Sequence, residues 1–477
     1  MITFLSCLAI LIVGYFTYGT FVAKTVGFDD TKETPALRLQ DGVDYMPMPW
    51  YKVFLIQFLN IAGTGPIFGA IMGALFGPVA FLWITFGTLF AGGVHDFLSG
   101  VISMKHDGTS VSEVVGIYLG DTMKNIMRVF SVVLLILVGT VFVTSPAGLL
   151  SNITGMNNTI WVALIIVYYI VATVLPVDKV IGKIYPIFGA ALLLMAVGLC
   201  GAMFIGHFNG SMEMAEMTLQ NLHPNGDSVF PFLFTTIACG ALSGFHATQS
   251  PMMARCVNRE SENKRIFYGA MVVEGIVALI WCAVTIAFFG DSLSIQAALT
   301  EFGGQSGVVN VVSKELLGPV GAILAVLGVV ACPITSGDTA FRSARLTIAD
   351  AFKIKQEGIK NRFILAIPLF VVCIALTQID FNIIWRYFAW SNQTLATIFL
   401  WTGAVFLLIN KKNPWIAALP AIFMSYVVIS YILQAKEGFR LNGTISDVVG
   451  IIGAILLAVW FMLKVKKVRS EQAKEAA

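Results

Sequence analysis

Apolar runs long enough to cross a lipid bilayer recur from one end of the sequence to the other. A spanning helix needs about 20 apolar residues. Lipid offers backbone groups no partner, so each run must satisfy its own hydrogen bonds, and a chain built of such runs becomes an all-α bundle. Thirteen candidates lie near 2–23, 52–75, 78–103, 127–150, 159–176, 185–207, 229–252, 267–289, 318–341, 362–379, 383–409, 413–434 and 447–463. Charged residues are 12% of the chain and hydrophobic ones 57%, with a mean hydropathy of +0.83. That charged fraction is about half the usual one for a soluble protein, and no room is left for a separate soluble domain. The first run lacks a basic leader and is too long for a secretory core, which predicts a retained span.

Lysine and arginine orient the stack. Odd-numbered loops and the C-terminal tail hold 26 of the 30, and even-numbered loops only Lys314, Arg386, Lys436 and Arg440. The N-terminus is therefore expected outside and the C-terminus in the cytoplasm. The tail "KVKKVRSEQAK" reads as a positive-inside anchor beside the lipid and not as a nucleic-acid patch. The seven cysteines (Cys7, Cys200, Cys239, Cys256, Cys282, Cys332, Cys373) form no C-x-x-C pair. Neither a metal site, a cofactor nor a disulfide framework is signalled.

Two of the thirteen segments are interrupted near mid-span. The second contains "NIAGTGP" (Asn60–Pro66) and the seventh "CGALSGFHATQSP" (Cys239–Pro251). They lie five helices apart, an odd number, so they enter the membrane from opposite sides. Broken helices at matching places in two inverted halves point to the binding site of a secondary transporter. The expected division is an extra helix and cytoplasmic loop at 1–51, one five-helix repeat at 52–208, a second at 209–410, and two further helices with a basic tail at 411–477.

An unwound mid-membrane segment frees backbone N–H and C=O groups that something must satisfy. A substrate carboxylate can do so at a half-helix N-terminus, and exposed carbonyls can hold a cation. Gly63, Thr64, Gly65, Gly240, Ser243 and Gly244 are the candidates, although glycines there also permit close helix packing. His246 can carry a coupling proton or bond a carboxylate, or be a neutral core histidine. Gln249 and Thr248 could bind substrate or join helices. Asp338 could bind a proton, or pair with Arg342 four residues on. His95 and Asp96 could form a gate or relay, or a boundary pair with Lys105 or Arg128. Glu274 could carry a proton or snorkel. Arg386, with Trp385, Tyr387 and Trp390, fits an interfacial belt, and as a rare outer cation could draw in anions.

Four stretches, "NIAGTGPIFGAIMG", "CGALSGFHATQSPMMARC", "ACPITSGDTAFRSAR" and "WSNQTLATIFLW", resemble the carbon-starvation protein A family of bacterial inner-membrane transporters, of which this chain would be a short form. The resemblance implies uptake of peptides or pyruvate by proton symport when preferred carbon runs out. It also implies kinship with the amino acid–polyamine–cation superfamily and its LeuT-like five-plus-five core. In that superfamily a hydroxyl pair and carbonyls of the first broken helix make a sodium site, here Thr335 and Ser336. The partners expected are a small anionic or zwitterionic solute, a coupling proton or sodium ion, and the bilayer. A sodium-coupled carrier of another small carboxylate or amino acid is the alternative. A channel would need a continuous polar lining, and only isolated clusters appear. No Ser-His-Asp or H-E-x-x-H arrangement suggests an enzyme.

Overall fold

The computed structural model describes residues 1–42, 45–173, 177–354, 356 and 358–476. Residues 174–176 of the expected 159–176 segment, and Lys355 of the 342–362 loop, lie outside the described residues. The described chain is helical throughout apart from its loops and one isolated bridge between Met48 and Val257.

The helices run in chain order as α1 (Ile2–Val26), α2 (Trp50–Ile61), α3 (Thr64–Gly73), α4 (Ala80–Lys105), a short loop helix α5 (Val111–Leu119), α6 (Asp121–Thr154), α7 (Asn158–Ala172) and α8 (Ile187–Phe208). A helical stretch over 229–236, here α9, is followed by α10 (Gly244–Ala254) and α11 (Glu260–Phe289). The rest are α12 (Ser292–Glu301), α13 (Gln305–Phe352), α14 (Ile359–Leu376), α15 (Phe381–Ile409), α16 (Trp415–Gln434) and α17 (Gly443–Lys474).

Both expected interruptions are present. Helices α2 and α3 meet at a 49° bend, where Ala62 and Gly63 leave the helical path. Pro66 sits in the first turn of α3, where a missing N–H costs nothing. In the seventh segment residues 237–243 form no helix. Gly240 there has φ +86°, a left-handed backbone that glycine adopts without steric penalty.

Among the described residues, ten helices are long and apolar enough to span a membrane, and eleven if the bent α2–α3 pair counts as one span. Two of the thirteen expected segments fall short of that standard. Helix α7 has 15 residues, and the break removes the continuous length of 229–252. The expected ninth span also grows. Helix α13 starts at Gln305 and turns at Gly318, φ 61°, so residues 305–317 pack with α12 as a hairpin before the span proper begins.

Burial separates core from edge. The apolar windows of α4, α11 and α15 are 83%, 78% and 83% buried, against 28%, 22% and 22% for α1, α14 and α17. The enclosed helices surround the two breaks, and the others turn apolar faces outward as lipid-facing helices do.

The face carrying most basic residues is laced shut. Arg38 pairs with Asp107, and Tyr45 donates to the Asp107 carbonyl at 2.8 Å. Arg255, directly after α10, gives two bonds to the Gly108 carbonyl at 3.1 and 2.9 Å. Met48 N–H reaches the Cys256 carbonyl at 3.0 Å.

Antiparallel repeats require the loops flanking the second broken segment to lie on opposite sides. Cysteines placed in 211–227 should react with an impermeant maleimide from outside whole cells, and cysteines in 258–263 only after permeabilisation. Labelling of both loops from one side would remove the inverted repeat.

Candidate transport site at the two helix breaks

The two breaks lie against each other. A Cβ on Gly65 would stand 2.6 Å from Cys239 Sγ, so glycine lets α3 approach the second linker this closely. Gly63 abuts the Phe142 ring, and Gly244 abuts the backbone of Asn392. These glycines serve close packing as well as freeing the backbone.

The ionisable residues of three helices meet beside the second break. His246 on α10 faces two carboxylates: its Nδ1 lies 2.8 Å from Asp96 Oδ2 and its Nε2 lies 3.4 Å from Glu274 Oε2. Asp96 Oδ1 lies 2.8 Å from His95 Nδ1, and Glu274 Oε1 accepts the Gly240 N–H at 3.0 Å. All four side chains are 0% exposed. Cys239 Sγ joins His246 and Glu274 in a group within 4.8 Å. It also lies 3.6 Å from Ser243 Oγ and from Asn392 Nδ2.

Asp96 therefore pairs with histidines rather than with Lys105 or Arg128, because α4 runs alongside α10 and presents residues 95–99 to it. Ser99 donates to Ser250 at 2.7 Å in the same contact. Glu274 does not snorkel; it points into the bundle. An imidazole held by two acids is a site for positive charge, and a substrate anion placed beside it would meet two carboxylates.

The N-terminus of α10 is already occupied. Asn392 Oδ1 accepts from Phe245 N–H at 2.7 Å and from Ser243 Oγ at 3.2 Å, and its Nδ2 donates to Ser243 Oγ at 3.0 Å. At α3, among the described residues, no side chain accepts from the N–H groups of Gly63, Thr64 or Gly65, and Thr64 Oγ1 accepts from Ser145 Oγ at 3.3 Å. Ser145 and Thr236 also line a cavity of about 1030 Å³ whose mouth is formed by His223, Asn225, Gly304, Asp380 and Lys436. This cavity opens on the face opposite the laced loops and descends to the breaks.

The remaining candidates are placed as follows. Ser336 Oγ donates to the Leu59 carbonyl at 3.3 Å, and Cys332 Sγ reaches the same oxygen at 3.4 Å. Thr335 turns back to its own helix, onto Cys332 O at 2.7 Å. Asp338 lies 3.6 Å from Arg342. Gln249 donates to Thr248 Oγ1 at 2.9 Å, and Thr248 donates to Phe245 O. Arg386 lines the cavity and pairs with Glu437 at 3.1 Å. Trp385 is buried against Phe68, Phe381 and Phe388, and Trp390 and the exposed Tyr387 donate to backbone carbonyls of Val428 and Glu437. Sequence reasoning passed over Asn392, Thr88 and Ser145; the Leu59 carbonyl belongs to the first broken helix, whose carbonyls were expected beside Ser336. Asn392 stands inside "WSNQTLATIFLW", so a signal was there without a role attached.

Paired helix breaks at the centre of a multi-pass bundle, with buried ionisable groups and a cavity leading to them, define a secondary transporter on the five-plus-five core. The chain belongs to the carbon starvation protein CstA family, whose sequence pattern it matches over residues 1–155 and 145–314. It is similar to an uncharacterized membrane protein of Haemophilus influenzae, 44% identical over 351 residues, which are 63% of this chain and 94% of that one. The peptide transporter CstA of Bacillus subtilis is 27% identical, with 95% of each chain covered. The pyruvate/proton symporter BtsT of Escherichia coli is 27% identical, covering 57% of this chain and 47% of its own. Among solved structures, a mutant of the Eremococcus coleocola manganese transporter shares the fold with a TM-score of 0.54 at 13% identity, covering 90% of this chain and 99% of that one. A Na+-coupled sialic acid symporter shares it with a TM-score of 0.54 at 13% identity, covering 95% of each chain.

Removing the Asn392 amide should loosen the second break. Asn392→Ala leaves the buried Phe245 N–H unpartnered, a loss of about 1–3 kcal/mol, read as a lower melting temperature in detergent. Asn392→Asp, which keeps the acceptor, should melt closer to the parent. Equal melting of all three would deny Asn392 this capping role.

Proposed function

We propose that this protein is a proton-coupled symporter for a small carboxylate-bearing solute, pyruvate or a short peptide, in the bacterial inner membrane. The N-terminus lies outside and the C-terminus in the cytoplasm. The observation that carries the coupling is the single imidazole of His246 between Asp96 and Glu274, all three buried. With both acids ionised, His246 protonated and His95 neutral, the group holds a net negative charge. One further proton on the facing Nε2–Oε2 pair neutralises it. Burying a full charge at mid-membrane costs about 2.5–3.5 kcal/mol even on the lenient insertion scale, so the occluded state favours the neutral, proton-loaded group.

The substrate carboxylate is assigned to the other break. The α3 N-terminus offers Gly63, Thr64 and Gly65 without a capping side chain, its dipole favours an anion, and the cavity descends to Ser145 beside it. The α10 terminus, with Gly240, Ser243 and Gly244, is held by Asn392 and serves as the coupling element. Gln249 and the gate residues His95 and Arg386 line the route or support it. The relatives named as a peptide transporter and a pyruvate/proton symporter support the solute class, and no catalytic step enters this reading.

Sodium coupling has one observation in its favour, the Ser336 hydroxyl on the Leu59 carbonyl. Thr335 points away from it, so the hydroxyl pair is not assembled. Asp338 is assigned to its ion pair with Arg342.

Uptake of labelled pyruvate and of a labelled dipeptide into proteoliposomes separates these readings. An inward proton gradient should drive accumulation of one of them, and sodium should not. Because the proton loads from outside, uptake should fall as external pH rises. His246→Ala should insert normally yet lose gradient-driven accumulation, and His246→Gln should lose its pH dependence. Accumulation in His246→Ala at the parent rate with the parent pH profile would show that His246 is a packing residue.

A further inference from the structure

The bonds that hold the unwound linker 237–243 come from several helices. Trp83 Nε1 donates to Ile237 O at 3.3 Å and Thr88 Oγ1 to Gly240 O at 2.9 Å, both from α4. Asn392 bonds Ser243 from α15. Glu274 Oε1 accepts the Gly240 N–H from α11. Of these partners only Glu274 is ionisable. Gly240 is thus held on both sides, its N–H by an acid and its C=O by a hydroxyl. Its φ of +86° is reserved for glycine, and a Cβ there would stand 2.5 Å from Ala278 Cβ, so no side chain could take over the hold. Thr88 is fixed in turn, because Gly275, next to Glu274, leaves room for its side chain alone.

We infer that Thr88 and Glu274 form a clamp on Gly240 through which proton loading is converted into release of the broken helix. This rests on the reading of His246 and Glu274 as the proton pair. An ionised Glu274 holds the Gly240 N–H by a charge-assisted bond, about twice as strong as a neutral one. A proton on Oε2, the oxygen facing His246, weakens that hold without breaking the His246–Asp96 contact. Linker and α10 are then free to move when solute is bound. The groups facing Glu274 are His246 and Cys239 from the broken segment, with Asp96 of α4 behind His246. Helix α3, which packs on α11, has no titratable side chain, and the α4 stretch from Trp83 to Gly92 has none. His95 of α4, on the other oxygen of Asp96, is linked to Glu274 through His246. Thr88 is a positioning residue: it touches neither proton nor solute and sets how much of the hold depends on Glu274.

The test is hydrogen–deuterium exchange of the full-length protein over peptides covering 237–243, from about pH 5 to 8, corrected for intrinsic chemical rates. Solute accumulation and solute exchange in proteoliposomes are the second readout. In the parent, protection of the linker should fall as pH is lowered. Glu274→Gln should show low protection at every pH and lose accumulation. Thr88→Val should lose roughly three- to tenfold in protection, the worth of one buried neutral hydrogen bond. It should lose a similar factor in accumulation ratio while still exchanging labelled for unlabelled solute. Thr88→Ser, which keeps the hydroxyl, should behave as the parent and controls for folding. Protection that ignores pH in the parent, or full accumulation by Thr88→Val, would overturn the clamp while leaving the proton pair standing. Parent-like accumulation by Glu274→Gln would overturn the proton pair and the clamp with it.

Discussion

Two acids sealed beside imidazoles inside a lipid-embedded bundle cannot both stay charged without protons to balance them, and the rest of the molecule is arranged around that constraint. The cluster sits at mid-bundle because α4 brings His95 and Asp96 there, α10 brings His246 and α11 brings Glu274. It stays dry because the helices around it are the most enclosed in the chain. Its outermost oxygen is tied to the backbone of the second break through Gly240. Charge balance and helix geometry are thereby joined at one carboxylate, whose Oε1 holds Gly240 and whose Oε2 faces His246.

The two breaks are not built alike. At the second, Asn392 fills the half-helix terminus with its own amide oxygen, and neutral donors hold the linker carbonyls. At the first, Gly63 carries no capping side chain and the cavity descends to Ser145 alongside. In the proposed function this asymmetry of chemistry divides the work, with one terminus left for a carboxylate and the other tied to the proton. On the opposite face Arg38, Tyr45 and Arg255 converge on the Asp107–Gly108 turn.

Much of this was legible in the sequence. Apolar runs gave the bundle, and the Gly-Pro interruptions in "NIAGTGP" and "CGALSGFHATQSP" marked both breaks. His246 was conspicuous because a titratable residue inside an apolar run is costly. Partners were harder to read. Asp96 and Glu274 are 150 and 28 residues from His246, and only the packing of α4 and α11 on α10 brings them together. Spacing alone left Asp96 equally suited to Lys105 or Arg128. Thr88 and Asn392 were invisible for another reason: neutral polar residues in membrane helices usually bond their own backbone, as Thr335 does, and nothing in a sequence separates those from residues that reach a neighbouring linker. The span count suffered where continuity failed, at the short α7 and at the break itself.

The central claim is that a proton enters the buried cluster with each solute molecule. It is tested most directly by adding solute to weakly buffered proteoliposomes, with no imposed gradient and with potassium and valinomycin to dissipate charge, and following external pH. Solute-dependent alkalinisation, with protons and labelled solute entering in a fixed ratio, and its absence in Glu274→Gln, is the expected result. Solute entry with no proton movement would contradict the account.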